Sequence, residues 1–144
     1  MASQYLCALS LIILALLHAG RGTGETGTMN RGSEHLAAGE WGGKHVRMEV
    51  SDGGALLEFD CAKGSIEAPF TLDAEGRFAA NGRFAREGFG PRDEDAAPKG
   101  VPARYTGQVT GESMTLTVTL AETREEFGTY TLKRGSRGRL WKCH

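Results

Sequence analysis

Cysteine carries the clearest chemistry in this 144-residue chain. Cys7 lies inside the apolar run Leu6–Leu17, while Cys61 and Cys143 are the only cysteines in the remainder. The run reads as the core of a secretory signal peptide over residues 1–20. Its removal would leave an even pair in a chain bound for an oxidising compartment. A Cys61–Cys143 bond would tie the end of the chain to its first third. On chain-entropy grounds, closing a loop of about 83 residues stabilises a fold by roughly 4–5 kcal/mol.

The leader holds no Lys, Arg, Asp or Glu, a departure from the usual basic start. Its apolar core is shorter than the span of about 20 residues that a membrane requires. A cleaved signal, no stable membrane span after cleavage, and a secreted or periplasmic location are therefore expected. Cys7 precedes most of the apolar run, whereas a lipid-anchoring cysteine should follow it.

Other reactive residue types form no recognisable constellation. His35, His45 and His144 are scattered, and Asp93-Glu94-Asp95 lacks the alternating oxygen spacing of a calcium loop. There is no G-x-S-x-G, and nothing singles out His45 as the partner of any serine or cysteine. No catalytic residue, metal or cofactor is expected, and the chain is not read as an enzyme. The last twelve residues hold Lys133, Arg134, Arg137, Arg139 and Lys142, with no acid after Glu126. Lys133, Arg134, Arg137 and Lys142 make a candidate anion patch at one end of the fold, in competition with plain solvated strand ends. A net charge of −1 argues against a nucleic-acid partner, which needs a basic face to neutralise phosphates.

These residues must be positioned by strands. Residues 21–38 are Gly-rich without apolar period and read as a flexible tether. The barrel domain is expected over 39–144. Val46, Met48 and Val50 alternate with polar residues, and Ser51-Asp52-Gly53-Gly54 turns the chain. Ala55, Leu57, Phe59 and Cys61 then share a face, which predicts a hairpin with Cys61 pointing inward. A Lys63-Gly64 turn and a weaker strand over Ser65–Leu72 follow, with Pro69 at an edge or bend. Gly76-Arg77-Phe78-Ala79 is echoed by Gly82-Arg83-Phe84-Ala85, so Asn81-Gly82 offers a type I′ turn. Phe78, Ala80, Gly82 and Phe84 share parity, however, which favours one long strand over Arg77–Arg86. Residues 88–102, with three prolines, read as the longest loop. Ala103–Thr110, Met114–Leu120, Phe127–Arg134 and Arg139–Cys143 complete the set. The fold class is all-β, an antiparallel up-and-down meander of seven to eight strands closing into a small barrel. A sandwich is less favoured because nearly every connection has hairpin length.

Gly39-Glu40-Trp41 at the first strand and Arg139 beside the last resemble the calycin group, lipocalins and their relatives. In that group a G-x-W tryptophan is covered by a basic residue from the final strand. The resemblance therefore implies that Arg139, or Arg137, packs on Trp41 and closes the barrel. Inward parity with Cys143 would bury Trp141 too. The layout also looks like small bacterial periplasmic metalloprotease inhibitors of lipocalin-like fold. Three functions follow as expectations: a binding module for an unknown small apolar ligand or partner, a protease inhibitor acting through the tether, or a packed envelope protein without ligand. Bulky inward positions, Met48, Phe59, Tyr105, Met114 and Leu116 among them, predict a filled interior rather than a hollow one.

Overall fold

Strict alternation of apolar and polar residues dictates strands, and strands are what the computed structural model shows. It describes residues 34–87, 100–141 and 143, all within the compact unit Arg31–His144. Ten strands run in chain order: β1 (Glu34–His35), β2 (Gly39–Gly43), β3 (Val46–Ser51), β4 (Gly54–Phe59), β5 (Ala62–Ile66), β6 (Thr71–Leu72), β7 (Arg77–Arg86), β8 (Val101–Thr110), β9 (Ser113–Leu120) and β10 (Glu126–Arg134). Eight of them close an antiparallel barrel in the order β10-β2-β3-β4-β5-β7-β8-β9, so each barrel strand pairs with its neighbours in the chain. β1 and β6 form a separate two-stranded sheet. No helix occurs among the described residues. The meander and its closure are as the sequence predicts, and closure leaves no unpaired barrel edge.

The first turns explain the register. Phe59 pairs with Ala62, so Asp60 and Cys61 form the two-residue hairpin loop and Cys61 adopts φ 57°. Cys61 is thus a half-buried turn residue, not an inward strand position, and the turn precedes the expected Lys63-Gly64. The shift keeps Phe59, Ala62 and Ile66 in the core. The expected strand Ser65–Leu72 is likewise divided. The barrel strand stops at Ile66, before Pro69, which has no N–H for a ladder. Thr71–Leu72 then pairs with Glu34–His35 outside the barrel. The last part of the predicted tether is therefore strand, tied further by Leu36 N–H donating to the Phe70 carbonyl at 3.1 Å. The leader and residues 21–33 of the tether lie outside the described residues, as do 88–99 of the predicted loop.

Arg77–Arg86 is one continuous strand, as its parity suggests. Val101 and Pro102, expected in the loop, begin β8 opposite Phe84 and Arg83. Proline is tolerated there because β9 pairs with β8 only from Ala103 onward. Two glycines make room for the inward ring of Tyr105. A Cβ on Gly64 would lie 2.3 Å from the Tyr105 hydroxyl, and one on Gly82 would lie 3.0 Å from the same ring. Tyr105 is fully buried, and its hydroxyl donates to the Arg83 carbonyl at 2.7 Å. Around it, Val46, Met48, Met114, Leu116, Val118 and Leu132 are 0% exposed, so side chains fill the barrel.

The described residues after β10 do not form the expected strand Arg139–Cys143. After β10 the chain runs back as a strap over the outside of β2, with a single parallel bridge between Lys44 and Arg139. Gly135 N–H donates to the Glu40 carbonyl at 2.7 Å, and Arg139 N–H to the Gly43 carbonyl at 2.9 Å. A Cβ on Gly42 would meet Gly138 N at 2.2 Å, so only glycine lets the strap lie flat there.

Candidate functional site

Hairpin geometry gathers side chains at both ends of the barrel. At the end formed by the β2–β3 and β4–β5 turns, His45 is the second residue of a two-residue link and adopts φ 68°. Its N–H donates to the Arg139 carbonyl at 2.8 Å. Its Nδ1 meets Asp60 Oδ2. The other Asp60 oxygen accepts from the Trp141 backbone N–H at 2.7 Å, and the Trp141 ring meets the His45 ring edge-on with centroids 5.6 Å apart. One carboxylate thus holds a turn and the strap together. Tyr130 stands near it; burial first, then the Asp60 charge, pushes its phenol above the usual range. Cys61 and Cys143 arrive at this junction with Cα atoms 5.3 Å apart, within the span that a disulfide needs.

This junction corrects two expectations. Trp141 is 64% exposed rather than buried, because the strap lies outside the barrel wall and turns the ring to solvent. Arg139 is also exposed, and its backbone rather than its guanidinium joins the barrel. The place over Trp41 belongs to Arg134, whose guanidinium carbon stands 6.0 Å from the indole centroid. Arg134 pairs with Trp41 across the closing ladder, and cross-strand partners share a face. Pairing register was the missing signal. The strand β10 ends at Arg134, so the later arginines cannot reach the same face.

The opposite end carries a cleft of about 570 Å³ between the β1–β6 sheet and the barrel mouth. Leu36, Leu72 and Val109 give it apolar walls, Trp41 forms part of its floor, and Glu34, Gln108 and Arg134 bring polarity. Asp73 and Glu75 also border it, but Arg77 engages both, at 3.0 and 3.2 Å. The Arg77 backbone N–H lowers the Asp73 carboxyl below its ordinary range. Arg134 makes no ion pair among the described residues. Trp41 Nε1 is buried without a hydrogen-bond partner there.

Of the candidate anion patch, Lys133 and Arg137 are exposed along the strap side, while Arg134 caps Trp41 at the cleft. Lys142 lies outside the described residues. The described His, Cys, Asp and Glu residues form no group suited to a metal ion. No family model, curated protein or solved structure matches this chain.

Proposed function

We propose that this chain is a small exported binding module, closed by a Cys61–Cys143 disulfide, whose ligand sits at the barrel mouth and not inside the barrel. One observation carries the reading. The interior is occupied by side chains at 0–5% exposure, whereas the mouth keeps an open cleft of about 570 Å³. That volume falls in the range of small-molecule sites, which combine apolar walls with a few polar groups. Leu36, Leu72 and Val109 supply the walls, and Arg134 and Glu34 supply the polar groups. The leader expected over residues 1–20 and the paired cysteines support export to an oxidising compartment.

A second reading is supported by the root of the tether. Glu34–His35 pairs with β6 and lines the same mouth, which gives residues 21–33 a fixed point of departure toward a protease cleft. Fragment screening by amide chemical shifts separates the two. Binding to the module should perturb Leu36, Leu72, Gly76, Val109 and Arg134, and should survive deletion of residues 21–33. Shifts centred on Met48 and Leu116 would place the ligand inside the barrel and overturn the mouth assignment. Protease inhibition lost on that deletion would favour the inhibitor.

A further inference from the structure

The strap has two faces. Ser136, Gly138 and Leu140 are half-buried, and Arg137, Arg139 and Trp141 alternate with them as exposed residues. The inner residues and the backbone do the attaching. A Cβ on Gly138 would lie 2.3 Å from the Val46 carbonyl oxygen, and Arg47 Nε donates to the Arg137 carbonyl at 2.9 Å. The bonds to Glu40, Gly43, His45 and Asp60 described above also use main-chain atoms of the strap. The outward guanidiniums hold nothing in place.

Arg137, Arg139 and Trp141 form an exposed row along the strap, without regular strand spacing because Gly138 takes φ 69° between the two arginines. Lys44, bridged to Arg139, and Lys133, one strand pairing from Gly42, widen it. Among the described residues none of these four cations has an ion pair, a state they share with Arg83, Arg104, Arg124 and Arg134, whereas Arg47, Lys63, Arg77 and Arg86 are engaged. Of the acids around it, Glu58 stands 3.8 Å from Arg47 and Asp60 binds His45 and Trp141, whereas Glu40 and Glu49 make no ion pair among the described residues. Glu40 and Glu49, paired in register, occupy the adjoining outward row.

We propose that this row is a docking surface for an anionic lipid bilayer. The strap lies on the outer wall, where Lys44, Lys133, Arg137, Arg139 and Trp141 are all exposed. Four or more Lys and Arg beside an exposed indole match the chemistry of an anionic headgroup plane, in which tryptophan seats at headgroup level. Each cation near such a surface strengthens binding about fivefold. This surface is separate from the mouth cleft, so either assignment can fail alone.

The test uses the full chain with pure phosphatidylcholine vesicles and with vesicles containing about one third phosphatidylglycerol, an anionic surface. The apolar run Leu6–Leu17 carries no charge, so it contributes equally to both. Trp41 is 1% exposed and Trp141 64%, so an emission shift on binding reports the strap. The expected result is a blue shift with anionic vesicles alone, reversed by salt. The double variant R137Q/R139Q should bind at least about tenfold more weakly, with its hydrogen-exchange pattern unchanged across β2–β10. The control R83Q/R104Q removes two exposed arginines from another face and should bind as the parent does. Equal binding to both vesicle types would overturn the proposal, and so would R137Q/R139Q binding as the parent does. Soluble polyglutamate that binds more tightly than the anionic vesicles at equal salt would make the partner an acidic chain instead, and would overturn it too.

Discussion

Trp41 shows how one side chain's environment follows from pairing rather than from proximity in sequence. It sits opposite Met48 on one side and Arg134 on the other, so all three share the inner face of the closing ladder. Burying the indole leaves Nε1 unpaired, a cost of about 1–3 kcal/mol. The Arg134 cation over the ring offsets part of it. Arg134→Ala should therefore lower the unfolding free energy by about 0.5–1 kcal/mol, and Arg139→Ala by clearly less, in urea titrations. Equal losses would return the closing role to Arg139.

At the scale of elements, the strap is joined to the barrel by scattered main-chain bonds and one bridge rather than by a ladder. Each of its backbone bonds lies on the outer wall, and Gly138 is its closest approach to the barrel. The barrel strands instead pair with a neighbouring strand on each side, β3 and β4 along nearly their whole length. Local opening follows the weaker connections. Cys61→Ser or Cys143→Ser should cost about 2–5 kcal/mol. Hydrogen exchange should accelerate at Gly138, Arg139 and Trp141 before it does in β3 or β9. A non-reducing peptide map of exported protein that showed both thiols free would remove the basis of this expectation.

For the molecule as a whole, stability should fail first on the alkaline side through its buried phenols. Burial pushes the Tyr105 phenol far above its ordinary range, and Tyr130 shifts in the same direction. The folded state therefore keeps protons that the unfolded chain releases near its ordinary value of about pH 10. The contribution is complete below about pH 10 and is lost as pH rises toward the folded value. Tyr105→Phe should flatten the fall in unfolding free energy above about pH 10. Losing the bond to the Arg83 carbonyl should cost about 1 kcal/mol near neutrality. An unchanged alkaline slope in that variant would show that Tyr105 is not the group responsible.

The local pattern determined the barrel strands almost entirely. Val46–Val50, Ala55–Phe59 and Met114–Leu120 alternate with period two, and short turns between such runs permit little but sequential antiparallel pairing. The same reasoning reached the bulky inward set that fills the barrel, and it brought Cys61 and Cys143 to one place. It did not reach the strap, because Gly138, Arg139 and Trp141 alternate as a strand does whether they lie in a ladder or outside one. Nor did it reach the mouth cleft, which needs Glu34–His35 to pair with Thr71–Leu72, two-residue segments too short to carry a period. Only closure of the barrel decided these. β10 pairs with β2 through Leu132–Arg134, which takes the place a further strand would have had beside β2, and the remaining chain crosses the outer wall. That crossing took Arg139 away from Trp41, left Arg134 over the indole, and turned Trp141 to solvent.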